Sequence, residues 1–409
     1  MEKEFNNNWS ELEMEIKFSK KMNLFRPNIF NVLDKKKKEL LTQGKTVYNF
    51  SVGTPDFVPD THVMNALVEA GKNPDNYKYA LSDRDELLKS VITWYKKRYN
   101  VILAEEEITS VYGSQEGISR ICSVLCDPED IVLVPNPGYP IFEIGPYLCG
   151  AKVMTYDLSP EKNYILDFDD IPKELAVKAK VIIVSYPLNP VCVVAPDEFY
   201  DNLIKFAKEN NIIVIHDNAY SEIVYDGIEG KSFLSYDGAK EVGIEFNSLS
   251  KTYNLTGARV SFALGNKDII NKFRILRSQV DYGMFLPIQK VAEAALNGPQ
   301  DSIERNKKEY EKRRDALYLG LNKIGWKVNK SQGTMFLWGK IPDKYTNSEK
   351  FVLELLEKTG VVVVPGSSFG SLGEGYVRFA LVLPVEEINR ALKVIEESGI
   401  VEGSKFSLY

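Results

Sequence analysis

Residues 212–220, IIVIHDNAY, carry the clearest fold signal in this 409-residue chain. Four consecutive β-branched apolar residues are followed at once by polar or small ones. A similar run, VIIVSYPLNP, lies at residues 181–190. Short apolar runs without a polar face are typical of strands covered on both sides, as in a parallel sheet. We therefore predict a buried parallel sheet whose strands end in polar side chains.

Similar short apolar segments occur before and after these two runs. Five further β-rich segments alternate with helical stretches between about Val101 and Asn266, namely ITSVYG, DIVLVPN, AKVMTYDL, EFNSLS and VSFALGN. Such alternation predicts an α/β fold with a mostly parallel seven-stranded sheet between helices. Ligands bind at the carboxyl ends of the strands in such sheets, so we expect the chemistry along one sheet edge.

The two ends of the chain are predicted to form a second, smaller α+β domain. A helical pattern at 28–44 precedes the strand-like VYNFSVGTPDF at 47–57, and strand-like GTMFLWGKI, GVVVVPG and YVRFALV lie near the C-terminus. The N-terminal stretch is too short for its own core, so we expect it to pack onto the C-terminal part. The predicted boundaries are 1–22 for an N-terminal extension, 23–55 and 299–409 for the small domain, and 56–298 for the large domain.

Charge and cysteine content narrow the classes of partner. The chain has 51 Lys and Arg against 57 Asp and Glu, a net charge of -6, which favours neither nucleic acid nor an anionic membrane surface. Four cysteines and two histidines lack the spacing of a zinc site. No stretch has the apolar length of a signal peptide core or a transmembrane helix. We expect a cytoplasmic protein that binds small molecules and no metal.

Lys251 is the first candidate for chemistry. It ends the segment Ser-Leu-Ser-Lys at 248–251, directly after a β-like run. A lysine that is removed from water has a lowered pKa, and its amine can attack an aldehyde carbon. A lysine considered alone is more often an exposed loop residue, so this interpretation depends on its neighbours.

Asp217 follows the apolar run at 212–215 and needs a partner for its charge. A protonated pyridine nitrogen is such a partner, and an aspartate facing it keeps the ring able to accept electrons from a substrate carbanion. The alternative is that Asp217 caps a helix. Tyr220 and Asn189, which follow the two strand runs, can both hydrogen-bond a phenolic oxygen on the ring. Together these features match the requirements of pyridoxal phosphate.

A phosphate site is predicted where a small-residue turn precedes a helix in VYGSQEG, at 111–117. The backbone amides near Gly113, Ser114 and Gln115 can hold a phosphate at the helix N-terminus. Tyr139, in the turn PNPGYPIF, is placed to stack on a cofactor ring, although tyrosines in turns are often plain packing residues.

Two arginines complete the predicted set. Arg259, with the hydroxyls of Ser248 and Ser250, can bind the phosphate through charge-assisted hydrogen bonds. Arg378 lies in the apolar strand-like segment YVRFALV, where an unpaired arginine is costly. A substrate carboxylate bound by both guanidinium nitrogens is the functional interpretation, and an ion pair with a nearby glutamate is the alternative.

The order of these motifs resembles that of the class I/II aminotransferases of pyridoxal-phosphate fold type I. The resemblance rests on GSQEG, PGYP, NP, DNAY, SLSK with Arg259, and YVRF, and covers nearly the whole chain from about residue 23. The spacings are 28 positions from Asn189 to Asp217, 34 from there to Lys251, and 8 more to Arg259. Framework segments such as HDNAYSEIVYDG and SQVDYGMFLPIQ are most similar to the branch of LL-diaminopimelate, alanine and aspartate aminotransferases.

The resemblance implies a role for each candidate residue. Lys251 would form the Schiff base with the cofactor and carry protons, and Asp217 and Tyr220 would be the other catalytic residues. Tyr79 would reach the phosphate of a partner subunit, in a homodimer with shared active sites. The remaining cofactor contacts would be Gly113, Ser114, Gln115, Tyr139, Asn189, Ser248, Ser250 and Arg259. The substrate carboxylate would be held by Gly53, Asn189 and Arg378.

The implied activity is a ping-pong transfer of an amino group from an L-amino acid to a 2-oxo acid, such as 2-oxoglutarate or pyruvate, in amino-acid metabolism. The alternatives on this fold are a β-lyase or decarboxylase and, more narrowly, LL-diaminopimelate aminotransferase. A regulator with an attached DNA-binding domain is disfavoured, because only about 22 residues precede the family match.

Three positions depart from the family pattern. Gln115 stands where the branch commonly has the lysine of GSKEG, so a cation able to pair with a distal carboxylate is replaced. Residues 190–192 are Pro-Val-Cys where Pro-Thr-Gly is usual, and Gly-Ala at 257–258 precedes Arg259 where a tryptophan is often found. The change at Gln115 puts an acidic or diaminopimelate substrate in doubt, and either of the other two could reshape the pocket without removing the cofactor chemistry.

Overall fold

The computed structural model describes residues 14–25 and 29–401, so part of the predicted N-terminal extension lies outside it. The strands are β1 (Tyr48–Asn49), β2 (Ile108–Val111), β3 (Ile131–Asn136), β4 (Lys152–Asp157), β5 (Ala179–Val184), β6 (Ile213–Asn218), β7 (Gly243–Ser248), β8 (Ser261–Gly265), β9 (Phe336–Lys340), β10 (Val361–Val362), β11 (Val364–Pro365) and β12 (Tyr376–Ala380). The α-helices are α1 (Ile29–Thr42), α2 (Thr61–Lys72), α3 (Asp85–Tyr99), α4 (Ser114–Leu125), α5 (Ile141–Cys149), α6 (Lys173–Ala176), α7 (Asp197–Asn210), α8 (Ala239–Val242), α9 (Leu249–Thr252), α10 (Lys267–Val280), α11 (Leu286–Asn297), α12 (Asp301–Lys323), α13 (Ser348–Thr359) and α14 (Val385–Glu397).

A seven-stranded sheet has the strand order β2-β8-β7-β6-β5-β3-β4. Every neighbouring pair is parallel except those of β8, which runs antiparallel to β2 and β7. Each of the seven predicted runs supplies one strand, so the prediction of an α/β fold with a mostly parallel sheet is confirmed. The apolar residues of β5 and β6 are buried, as expected of strands covered on both sides.

Helices pack against this sheet and against one another. α4 contacts β7 and β8, α5 contacts β3 and β4, and α10 contacts β2 and β8. α11 packs against α2 and α3. None of the helices in the described part of the chain combines the length and the apolar character needed to cross a membrane.

Two smaller sheets bring the chain ends together. β1 pairs in parallel with β10, where Tyr48 is opposite Val361. β12 lies between β11 and β9 in an antiparallel sheet, and α12 packs against α14. The segment before the large sheet and the segment after it therefore share one region. This agrees with a small domain built from both ends, whereas the exact boundaries stay predictions.

The polar ends of the strands meet at one edge of the large sheet, and α4 begins there. Gly113, at φ 89°, makes the left-handed turn from β2 into α4. Further along the helix, a Cβ on Gly117 would lie 2.5 Å from a ring carbon of Phe246 in β7. This close approach fixes the position of the α4 N-terminus over the sheet edge.

We predict that Gly117→Ala lowers the free energy of unfolding by about 1–3 kcal/mol, because the added methyl group overpacks the contact with Phe246. Gly71→Ala in α2 is the matched control, since its Cβ would meet no atom closer than 3.8 Å. The control is expected to be neutral or to gain up to about 1 kcal/mol from helix propensity. Chemical denaturation measures both variants, and equal stabilities would contradict the packing argument.

Candidate active site

A cavity of about 730 Å³ opens at the polar edge of the seven-stranded sheet. The ends of β5, β6 and β7 and the N-terminus of α4 form one side, and loop residues 51–54 and β12 form the other. Four charged side chains of the described residues line the cavity, Asp217, Lys251, Arg259 and Arg378. These residues come from separate elements, so the fold is what brings them together.

Lys251 lies in the short helix α9, immediately after β7. Its Nζ donates a hydrogen bond of 2.5 Å to the carbonyl oxygen of Gly53. Burial, with the nearby positive charges of Arg378 and Arg259, lowers the pKa of Lys251 from 10.5 to about 8. An appreciable fraction of this amine is therefore neutral near pH 7.5, which is what a nucleophile or proton acceptor requires.

Asp217, near the end of β6, is 8% exposed. Burial, with a smaller contribution from Glu245, raises the pKa of Asp217 to about 7. Its Oδ1 has no hydrogen-bond partner among the described residues, and the next helical turn in the chain begins only at Phe233. The alternative that Asp217 caps a helix is therefore wrong. A buried carboxylate oxygen without a partner is costly, and a cationic N–H group on a ligand is the kind of partner that satisfies it.

The N-terminus of α4 and Arg259 together form a place for an anion. A Cβ on Gly113 would collide with the guanidinium of Arg259, so the arginine packs directly on this glycine. The Ser114 hydroxyl is buried without a partner among the described residues. Ser248 Oγ accepts a hydrogen bond of 3.1 Å from the amide of Ser250. Backbone amides, hydroxyls and a guanidinium at a helix N-terminus are the groups that bind phosphate.

Two tyrosines line the cavity between these groups. The Tyr139 hydroxyl donates a hydrogen bond of 3.4 Å to Oε1 of Gln115. Tyr220 packs edge-on against Phe336, with 5.9 Å between ring centroids. Burial raises the pKa of Tyr139 and of Tyr220, so both remain neutral hydroxyl groups that can donate a hydrogen bond.

Arg378 of β12 is 4% exposed and has no carboxylate beside it among the described residues. Its Nη1 donates to Asn189 Oδ1 at 2.9 Å and its Nη2 to the Ser51 carbonyl at 3.3 Å, while Nε has no partner. The guanidinium lies 4.1 Å from the ring centroid of Phe336 and 4.8 Å from that of Phe369. The alternative of an ion pair with a nearby glutamate is therefore wrong. A buried cation with an unsatisfied N–H is suited to bind a ligand carboxylate.

The predicted site residues converge on this cavity with two exceptions. Gly113 lies behind Arg259 and does not itself line the cavity. Tyr79 lies outside it, 79% exposed, with its ring 5.4 Å from that of Tyr282. In one chain, therefore, Tyr79 contributes nothing to the cavity.

The departures from the family pattern have different structural consequences. Cys192 is buried against the hydroxyl of Thr334 and does not line the cavity. Gly257 does line it, and a Cβ there would meet no atom within 4 Å, so the absence of a bulky residue leaves open space. Gln115 is exposed and presents an uncharged amide.

Sequence reasoning missed the contact that holds the loop at 51–57. Arg313 of α12, 5% exposed at its side chain, donates from Nη1 and Nη2 to the two carboxylate oxygens of Asp56 at 2.7 and 3.0 Å. Nη1 also donates to the Leu381 carbonyl at 3.1 Å, directly after β12. One guanidinium therefore joins the loop to the end of the strand.

This contact matters because the loop carries Gly53 and the strand carries Arg378. The only sequence signal for it was the position of Arg313 in its helix, three residues after Tyr310 and four before Leu317, which are both buried. An arginine on the buried stripe of a helix requires a partner. The sequence does not reveal that this partner is Asp56.

Comparisons with known proteins agree with the geometry. The family model described as aminotransferase class I and II matches residues 45–395. The chain is 41% identical to the LL-diaminopimelate aminotransferase of Halothermothrix orenii, over 91% of this chain and 96% of that protein. It is 39% identical to the protein of that name from Aquifex aeolicus, over 93% and 98%. Substrate-bound BacF from Bacillus subtilis superposes with a TM-score of 0.90 at 35% identity, over 94% and 98% of the two chains.

We predict that Arg313→Lys lowers the free energy of unfolding by about 1–3 kcal/mol, because an ammonium group cannot make both bonds to Asp56 and the bond to Leu381. Arg305→Lys is the matched control, since Arg305 makes one exposed contact of 3.4 Å with Asp60. The control is expected to change stability by less than about 0.5 kcal/mol. Denaturant titration of the two variants measures the difference, and similar losses would refute the role of Arg313.

Proposed function

The chain belongs to the class I and II aminotransferases, and we propose that the residues gathered in the cavity carry out its reaction. The protein is a pyridoxal-phosphate-dependent enzyme that transfers an amino group from an amino acid to a 2-oxo acid. One observation carries the residue assignment: a lysine of lowered pKa, an aspartate oxygen without a partner and an arginine without a counter-charge share one cavity.

The described residues fit pyridoxal phosphate at both of its ends. Bound in a site, this cofactor supplies an aldehyde that reacts with amines and a ring that accepts electrons from the carbon being deprotonated. Asp217 would face the ring nitrogen, which is supported by its unpartnered Oδ1. The α4 N-terminus with Ser114, Ser248, Ser250 and Arg259 would hold the phosphate, which is supported by the unpartnered Ser114 hydroxyl.

Lys251 would have two tasks in the reaction. As a neutral amine, Nζ would hold the cofactor at its aldehyde carbon, whose oxygen leaves as water. Once a substrate amine takes its place, Nζ would accept the α-carbon proton and deliver it to the former aldehyde carbon. Its pKa of about 8 supports both tasks, because the amine can give up and regain a proton near neutral pH. The Gly53 carbonyl, 2.5 Å from Nζ, would hold the amine in place between steps.

Substrate orientation would depend on the other side of the cavity. Arg378 would bind the α-carboxylate through Nε and Nη atoms, with Asn189 keeping the guanidinium plane in position. Tyr139 would stack on the cofactor ring, and Tyr220 with Asn189 would donate hydrogen bonds to its phenolic oxygen. Ser185 donates to the Asp217 carbonyl at 2.9 Å and would steady the end of β6.

The enzyme is further proposed to be a homodimer in which Tyr79 reaches the phosphate of the neighbouring subunit. Tyr79 lies in an exposed cluster of large apolar side chains. Within the cluster, the ring of Tyr79 contacts that of Tyr282 and the ring of Tyr77 contacts that of Phe285. Such a surface is characteristic of an interface between protein chains. The members of the cluster are Tyr77, Tyr79, Leu81, Tyr282 and Phe285.

A cytoplasmic location is proposed on the basis of the cysteines. Cys122, Cys126, Cys149 and Cys192 are all free thiols, and burial raises the pKa of Cys126 to about 12, so this thiol is unreactive. Unpaired cysteines fit a reducing compartment.

The proposed boundaries of the two domains, with the small domain at 23–55 and 299–409, are supported by the pairing of β1 with β10.

We predict that Lys251→Ala lowers turnover by more than about 10³-fold, because the variant lacks both the amine that binds the cofactor and the proton carrier. The measurement is transfer from an amino acid to an oxo acid, together with circular dichroism to verify folding. Lys180→Ala, which removes a partly exposed pair with Asp130, serves as the control and should keep full activity. Retained turnover in the Lys251 variant would exclude the assignment.

We predict that sedimentation gives twice the 46.4 kDa chain mass, and that Tyr79→Phe keeps this mass while its dissociation constant for pyridoxal phosphate rises by about 3–10-fold. Tyr77→Phe is the matched control, because the Tyr77 hydroxyl donates to the Gly71 carbonyl of its own chain at 3.0 Å. Its cofactor affinity should not change. A fully active monomer, or equal affinities in the two variants, would argue against the shared site.

A further inference from the structure

One part of the cavity lining, which includes Val52, has no proposed role in binding the cofactor or the substrate carboxylate. This residue lies between Ser51, whose carbonyl accepts a bond from Arg378, and Gly53, whose carbonyl accepts one from Lys251. A substrate whose carboxylate is bound by Arg378 and whose amino group is at the lysine therefore spans this short segment. Val52 also lines the cavity, so the α-carbon of a substrate bound in this way would be close to it.

Helix α5 contributes two further aliphatic side chains to the lining of the cavity. Ile141 and Ile144 both line the cavity, and their spacing of three positions places them on one face of the helix. Together with Val52 they are named the aliphatic wall. Val52 is 44% exposed and Ile144 is half-buried, so part of this wall is still available to a ligand side chain.

The charged residues of the cavity all have proposed roles that do not involve the substrate side chain. Among the described residues that line it, Asp217, Lys251, Arg259 and Arg378 are the charged ones, and each has a task toward the cofactor or the α-carboxylate. The Tyr139 hydroxyl donates its hydrogen bond to the neutral amide of Gln115. A second carboxylate on a substrate would therefore lose water against the aliphatic wall without gaining a counter-charge from the described residues of the same chain.

We infer that the preferred amino donors of this enzyme carry an uncharged, apolar side chain, which the aliphatic wall of Val52, Ile141 and Ile144 receives. The inference rests on the proposed function, because it takes Arg378 as the carboxylate site and Lys251 as the amine that meets the substrate. Apolar side chains gain free energy from burial against this wall, and charged ones lose hydration there.

This substrate class differs from the one in the names of the curated relatives. Those proteins are named for LL-diaminopimelate, whose far end carries a second ammonium and a second carboxylate. Both charges would have to be accommodated beyond the α-carbon, where this chain offers Val52 and Ile144. Identity of about 40% shows a shared framework, and residues on a cavity wall can change without altering that framework.

The test compares donors of similar length in the half-reaction of the holoenzyme, followed through the visible absorbance of the cofactor. L-Methionine, L-glutamine and L-glutamate are nearly matched in size and differ in polarity and charge, and LL-diaminopimelate is the fourth probe. We expect kcat/KM for methionine to exceed that for glutamate and for LL-diaminopimelate by about 50-fold or more, with glutamine between. Equal or better conversion of glutamate or LL-diaminopimelate would overturn the inference. Failure to convert methionine would also overturn the inference, whereas a holoenzyme whose cofactor absorbance changes with no L-amino acid would overturn the proposed function itself.

A pair of variants tests the wall directly. Ile144→Arg adds a cation to it, and Ile144→Met keeps it apolar at similar length. The ratio of glutamate to methionine kcat/KM is expected to rise about 10-fold or more in the arginine variant and to stay near the wild-type ratio in the methionine variant. Unchanged ratios in both would show that the substrate side chain does not meet this wall. If the arginine variant fails to fold, the comparison of donors with the wild-type enzyme still decides.

Discussion

Two buried charges without a protein counter-charge are the constraint around which this cavity is built. The Asp217 carboxylate is 8% exposed and the Arg378 guanidinium 4% exposed, and neither forms an ion pair among the described residues. Burying such groups is costly, and the cost is offset when a ligand supplies the opposite charge. A cationic ring nitrogen and a carboxylate meet these two needs. In the proposed site, the unfavourable electrostatics of the protein alone would thus favour the binding of cofactor and substrate.

Holding the two charges apart and aligned requires segments from the whole chain. Asp217 is fixed by the seven-stranded sheet, whereas Arg378 belongs to a separate three-stranded sheet. The loop at 51–57 connects the two sides, because the Gly53 carbonyl receives Lys251 and the Ser51 carbonyl receives Arg378. Arg313 in turn fixes this loop through Asp56. The geometry of the cavity therefore depends on Arg313, a residue that does not line it.

The sequence predicts the parts of this arrangement that have a local cause. β-branched runs identify β5 and β6, and the polar residues that follow them identify Asn189, Asp217 and Tyr220, since parallel strands end at one edge of a sheet. The pairing of Arg313 with Asp56 could not be predicted, because the two residues are 257 positions apart and their helix and loop meet only in the folded chain. For the same reason the sequence left open whether Arg378 meets a glutamate.

The residues proposed for the reaction and those proposed to select the substrate differ in how strongly the framework determines them. Asp217 lies near the end of β6, Lys251 follows the end of β7, and Arg259 packs on Gly113 before α4, so the framework itself places these three side chains. Val52 is 44% exposed and Ile144 is half-buried, so substitutions at these positions cost less folding stability than substitutions of fully buried strand residues. Identity to relatives of known name therefore supports the reaction type more strongly than the substrate. The side chains that face the substrate beyond its α-carbon are the better guide to what this enzyme converts.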